Sequence, residues 1–288
     1  MQVAKTILLG TSGYDYPEWR GVFYPEEVKR KDFLSYYSTV FNALELNNTF
    51  YNMPDAAKIA SFMERSQKKV NLSIKANRLL THEIDFNWKN AADDFKAAII
   101  PARDQALLSA VLFQFPQSFH YTAENRIYLS KLIQEFQEFP VVIEFRHKEW
   151  IRESVFAGLV ERKASVAFCD MPRLKALPSP DFSTHLYSQF IGPCAYIRLH
   201  GRNENAWYAD NSNEQGGNGD RSVTNGSARY NYDYSDSELF EFVPVLEAAQ
   251  EEGRQTLVFF NNHPNGYGPK NAQRLGEILN NMDFFNKQ

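Results

Sequence analysis

The segment "FNALELNNTFYNMP" runs from Phe41 to Pro54. Read as an extended chain, it puts Ala43, Glu45, Asn47 and Thr49 on one side and Leu44 and Leu46 on the other, with Phe50 and Tyr51 closing the run. A strand with one wet face alternates apolar and polar residues, and a strand buried on both faces is apolar throughout. Here a carboxylate and an amide share a face in an apolar neighbourhood. That pattern makes sense only if the face lines a polar interior.

Outward from this segment, short apolar or β-branched runs recur: "KTILLGTSG", "ALELNNTF", "VNLSIKA", "LSAVLFQF", "PVVIEFR", "ASVAFCD", "CAYIRLHG" and "QTLVFFNN". Between them lie segments with helical spacing, among them "KDFLSYYSTVF" with Asp32 as N-cap, "DAAKIASFMERSQ", "SELFEFVPVLEAAQEEG" and "PKNAQRLGEILNNM". Strict βα alternation implies parallel strands joined by right-handed crossovers, and eight such units can close on themselves. The expected fold is therefore a TIM (β/α)8 barrel. The competing reading is an open doubly wound sheet, but Gly10 and Gly13 are followed by Tyr14 and Asp15 rather than by the Gly-rich helix start of a dinucleotide site. The 288 residues suit one barrel of about 250 residues plus insertions. A single domain over 1–288 is expected, with a long Gly/Asn-rich loop at 203–234 bordering the mouth and loosened by Gly216, Gly217 and Gly219.

The polar face of the first segment has counterparts at the C-terminal ends of the other strands. Glu144 and Arg146 share a face against Ile143 and Phe145, while Tyr196, Arg198 and His200 alternate with Ile197 and Leu199. Lys75 ends the third run, Gln114 lies in the fourth, Asp170 ends the sixth, and Asn261 and Asn262 end the eighth. If the apolar faces point to the helices, these groups converge where TIM barrels keep their sites. The alternative is a structural network in which Glu45 and Glu144 neutralise Lys75, Arg146 and Arg198.

Two arginines and a lysine suit an anionic group. Glu45 and Glu144 are the candidate acid and base, with His200 as proton carrier; repulsion and burial are expected to raise the pKa of one carboxyl. With a single histidine the ring is poorly supplied for a metal, so neither metal nor cofactor is expected. A strand lysine could form a Schiff base, yet Lys75 beside acidic neighbours reads more simply as a charged anchor. His82, in the loop after the third run, joins the ligand-binding set. Both cysteines, Cys169 and Cys194, are expected to be reduced core thiols.

The net charge of −4 gives no global field to attract nucleic acid, and no run approaches the roughly 18 apolar residues of a membrane span. The expected location is cytoplasmic, away from membranes. The oligomeric state is open.

The segments "GTSGYDYPEWRGVFYP", "FNALELNNTFYNMP", "LSIKANRLLTHE", "VVIEFRHKEW", "AYIRLHGR" and "VFFNNHPNGYGPKNAQRL" resemble, in order, the motifs of the YecE-like proteins, domain-of-unknown-function family 72. The resemblance spans nearly the whole chain. It implies a TIM barrel of the xylose isomerase and endonuclease IV general type and no established activity. The matching motif positions include Trp19, Glu45, Asn47, Tyr51, Lys75, His82, Glu144, Arg146, Arg198, His200, Asn261 and Asn262.

Three functions follow from these residues. The first is an enzyme acting on a small polar or anionic ligand by acid/base chemistry, with Glu45, Glu144 and His200 catalytic. Asn47, Lys75, His82, Arg146, Asp170, Arg198, Asn261, Asn262, Trp19 and Tyr51 would then bind substrate. The second, which the acidic net charge disfavours, is a nucleic-acid-binding or processing protein whose mouth aromatics Tyr14, Tyr16, Trp19, Phe50, Tyr51, Trp207 and Tyr208 stack bases. The third is a noncatalytic ligand sensor.

Overall fold

The computed structural model describes residues 7–178, 189, 191–208 and 228–282. Eight strands occupy Ile7–Ser12 (β1), Ala43–Leu46 (β2), Asn71–Lys75 (β3), Leu108–Gln114 (β4), Val141–Glu144 (β5), Ser165–Asp170 (β6), Cys194–Leu199 (β7) and Gln255–Phe260 (β8). All neighbouring pairs are parallel, and β1 pairs with β8, so the sheet closes into a TIM barrel rather than fanning open.

Closure separates two hydrophobic populations. Outward residues such as Leu44, Ile74, Phe113, Ile143, Ile197 and Phe260 form one cluster with the surrounding helices. Inward residues form a second, smaller cluster, with Leu8, Ala43, Leu112, Val142, Ala167, Tyr196 and Leu257 filling the barrel. The period-2 alternation of each strand thus assigns every other residue to the interior. Above this apolar plug the inward positions turn polar: Ser12 is level with Glu45, Glu45 with Ser73, Gln114 with Glu144, and Cys169 with Arg198.

The β1–β2 contact is unusually close. A Cβ on Gly10 would lie 2.0 Å from the Ala43 carbonyl oxygen and 2.8 Å from the Tyr37 hydroxyl. That hydroxyl donates to the Ala43 carbonyl (2.9 Å) and accepts from Thr11 N–H (2.8 Å). Gly10→Ala is expected to destabilise the fold by at least the roughly 1–3 kcal/mol typical of overpacking, measured by urea unfolding. A change below about 0.5 kcal/mol, the range of surface substitutions, would show that β1 and β2 can separate freely.

Three local expectations are corrected. The extended run from Ala43 does not reach Thr49: β2 stops at Leu46 and Asn48–Tyr51 makes one helical turn. The reason is visible at Thr49, whose hydroxyl reaches the carbonyls of Leu46 (3.0 Å) and Lys75 (2.6 Å) and folds the chain over the end of β3. The stretch expected as one helix from Ser237 to Gly253 is two, Asp236–Phe240 and Val243–Glu251. Pro244, in the first turn of the second, has no N–H to continue the first helix. Asp32 precedes the helix Phe33–Val40, but its side chain accepts no capping bond.

Candidate functional site

The C-terminal ends of β2, β5 and β7 bring three buried charges into one unit. Arg198 is 1% exposed and lies between two carboxylates that are 0% exposed. Its Nη2 donates to Glu45 Oε1 (2.6 Å) and its Nη1 to Glu144 Oε2 (2.5 Å). Glu45 also accepts from the Tyr196 hydroxyl (2.7 Å), which in turn meets Ser73 Oγ (2.5 Å). Glu144 takes a second, tight ion pair from Arg146 Nε through its other oxygen.

For Glu144 the electrostatic outcome is a lowered pKa, so it is not the raised proton donor. Burial pushes the Glu144 carboxyl up, but Arg146 and Arg198, with His200, reverse this and hold it well below the usual carboxylate range. Glu144 is therefore a fixed carboxylate and not a proton donor. His200 is shifted the same way with the opposite result for charge: burial and the neighbouring arginines push its pKa well below normal, so the ring stays neutral.

Arg146 can only donate, and its Nη2 lies 3.1 Å from His200 Nε2, which makes Nε2 the acceptor. Nδ1 then carries the proton, and the Asn261 amide 2.9 Å from it must present its oxygen. In this arrangement His200 and Asn261 aim the Arg146 guanidinium. Arg146 itself is partly open, 12% exposed at the side chain, with Trp207 5.8 Å from its centre. The partner of its Nη1 is the weak acceptor Met171 Sδ at 3.4 Å.

Lys75 occupies the end of β3. Its Nζ donates to Gln114 Oε1 (2.8 Å) and lies 4.3 Å from the centre of the Phe50 ring. The Gln114 amide is itself fixed, because its Nε2 donates to the Phe115 carbonyl (2.8 Å). Burial lowers the lysine pKa to about 7; Arg198 and Arg146 push the same way, against Glu144 and Glu45. His82 borders Phe50 edge-on at 4.7 Å, and partial burial with Lys75 and Arg146 lowers its pKa to about 4. Asn47, just past β2, has its amide oxygen buried without a hydrogen-bond partner among the described residues.

The structure separates four expected ligand-binding residues from this group. Asp170 follows inward Cys169 and so faces away from the barrel interior, where it accepts from Arg202 Nε (2.9 Å) and the Tyr234 hydroxyl (2.6 Å). Asn262 follows inward Asn261, and its amide donates to Tyr232 O (2.9 Å) and Asn271 Oδ1 (2.7 Å). Trp19 is 0% exposed, donates to His263 O (2.8 Å) and packs on Tyr16, so it is core rather than a ligand wall. Tyr51, 68% exposed, extends outward beside Phe50.

Three other residues complete the mouth. Tyr196 shares the parity of Arg198, a signal present in the sequence. Trp207, one of the aromatics expected at the mouth, and Tyr230, which no local pattern announced, lie 6.4 and 5.9 Å from the His200 ring. Both come from the described ends of the 203–234 segment, whose residues 209–227, with Gly216, Gly217 and Gly219, fall outside the described residues.

Among the described residues, two sets of side chains place potential cation ligands within 4.8 Å of one another. In Glu144, Cys169 and His200, the carboxylate is occupied by two arginines, and burial pushes the Cys169 thiol well up, into its protonated form. That set does not fit a metal. In His120, His147 and Glu149, in the loops after β4 and β5, Glu149 Oε2 already accepts from Tyr121 N–H (3.1 Å) and His147 Nδ1 from Glu149 N–H (3.3 Å). Those atoms hold the two turns together.

The chain belongs to the family described as "Protein of unknown function DUF72", which matches residues 8–287. It is 26% identical over 267 residues to the UPF0759 protein YunF of Bacillus subtilis, covering 89% of each chain. The crystal structure of a DUF72 family protein from Thermotoga maritima is similar at 29% identity and a TM-score of 0.77, covering 95% of this chain and 99% of that one. A DUF72 family protein from Enterococcus faecalis, at 21% identity, shares the fold with a TM-score of 0.78 over 96% of each chain. Among the described residues, no helix is long and apolar enough to cross a membrane.

Proposed function

We propose that the barrel mouth is an active site for a small anionic substrate, with Arg146 as its anchor and Lys75 as the group that moves protons. The observation that carries this reading is the division of labour among the charges. Glu45, Glu144 and Arg198 satisfy one another in a buried platform, while Arg146 and Lys75 face the opening with spare hydrogen-bonding capacity. With Lys75 protonated, three cations stand over two carboxylates, which favours an anion.

Lys75 is the group suited to general acid/base work, because a proton carrier is most effective when its pKa lies near the working pH. Glu45 and Glu144, first expected as the acid and base, instead set the field in which Lys75 titrates, and His200 positions Arg146. The nucleic-acid reading is less well supported. Of the aromatics suited to stacking bases, Trp19 is buried and Tyr14 packs on Tyr37 and Phe62 in the core.

The test is anion binding. Arg146→Met is expected to weaken binding of a small dicarboxylate by about tenfold or more, since a lost charge-assisted pair is worth roughly 1.5–3 kcal/mol. Titration calorimetry at pH 6.5 reads this directly. Unchanged affinity in a folded Arg146→Met protein would place the anion site elsewhere.

A further inference from the structure

The charge ring does not account for the surroundings of Lys75. A lysine kept to balance a carboxylate would contact one, yet the hydrogen bond of its Nζ among the described residues goes to the neutral amide oxygen of Gln114. The nearby carboxylates are committed elsewhere, Glu45 to Arg198 and Tyr196, and Glu144 to Arg198 and Arg146. Gln114 is locked by its own bond to the Phe115 carbonyl, so it holds one ammonium or amine hydrogen in a fixed direction. Phe50 covers one side at 4.3 Å, and part of the lysine remains open to the mouth. This is how a nucleophilic amine is presented: desolvated, oriented and, among the described residues, free of an ion pair.

Deepening the proposed reading of this site, we infer that Lys75 captures the carbonyl carbon of a small anionic aldehyde or ketone as a Schiff base, with the anionic group of that substrate held by Arg146. The amine lone pair adds to the carbonyl carbon while the C=O π pair moves to oxygen, which takes up a proton. The nitrogen then forms the C=N bond as the hydroxyl departs with a second proton as water. Counted from the ammonium, RNH3+ and O=C give RNH+=C and water, with no net proton and no redox change.

Neutral amine is available near pH 7 because burial, Arg198 and Arg146 lower the lysine against the opposing pull of Glu144 and Glu45. His82, a further titratable group among the described residues that faces it, stays neutral at that pH.

The experiment uses glyoxylate, an aldehyde with a carboxylate, as probe. The whole chain is incubated with it between pH 6 and 9, reduced with borohydride, and mapped by peptide mass spectrometry. The expected result is one carboxymethyl group, on Lys75, absent in Lys75→Arg and at least tenfold slower to form in Arg146→Lys. The rate should rise with pH with a midpoint near 7. Labelling spread over surface lysines with Lys75 unmodified overturns the inference. In that case the lysine is titrated by NMR after 13C-methylation. A midpoint near 7 would leave Lys75 as an acid/base group and reject only the imine, whereas one near the ordinary 10.5 would reject both readings.

Discussion

Replacing Arg198 with methionine is expected to lower the unfolding free energy by about 3–5 kcal/mol, the range for stripping one partner from a buried ion pair. The guanidinium holds Glu45 and Glu144 together at 2.6 and 2.5 Å, and all three side chains are almost wholly buried. Without it Glu144 keeps Arg146, but the hydrogen bond left to Glu45 comes from the neutral Tyr196 hydroxyl. Urea unfolding of the variant reads the loss. Adding Glu45→Gln should recover part of it, because the uncompensated charge is then gone; no recovery would place the damage in packing rather than charge.

The pH dependence has a definite sign. The folded pKa of Glu144 lies below its ordinary 4.5, so its contribution is fully present above that value and is lost as pH falls through the folded pKa. Arg198→Met should therefore flatten the acid limb of the stability curve. Arg198 is a structural member of the platform, and loss of anion binding on its removal would be secondary to loss of fold.

Lys75→Met is expected to have the reverse profile, with function lost and stability gained. General acid/base contributions are about 10²- to 10⁴-fold, and turnover of any substrate that the mouth accepts should fall by that order. Stability moves the other way because the folded chain holds this lysine at about 7 against an ordinary 10.5. Between those values the unfolded chain binds more protons, so the stability associated with Lys75 rises with pH across this window. Below it the penalty for the buried ammonium is complete. The melting temperature of Lys75→Met should therefore exceed that of the wild-type protein most at or below pH 7, and the difference should shrink toward pH 10.5. Calorimetry at pH 6, 8 and 10 tests this trend; a difference that is flat with pH would mean that Lys75 carries no unusual proton affinity.

Much of this was legible in the residue order. Eight βα units follow from hydrophobic periodicity, and the inward positions of Glu45, Glu144, Arg198 and His200 follow from the alternation of side chains along a strand, which is a local property of the backbone. The same parity could have set Asp170 apart from Cys169 and Asn262 from Asn261, since neighbours in a strand face opposite ways. Trp19, by contrast, ends the single 3-10 turn Pro17–Trp19, which is too short to show a period, so no local rule told its buried ring from an exposed one.

Closure and electrostatics were beyond reach of the linear order. Whether two glutamates repel each other or share an arginine depends on where β2, β5 and β7 stand across the barrel, and that is fixed by the pairing of all eight strands including β1 with β8. Proton affinities inherit this dependence, because Coulomb energies vary with distances between residues about 50–150 positions apart and with the water that closure expels. The sequence by itself determined which side chains enter the barrel, because parity is decided within each strand. Only the tertiary structure decided that Arg198 binds both carboxylates while Lys75 is left beside an amide, because those partnerships join strands that meet only when the sheet closes.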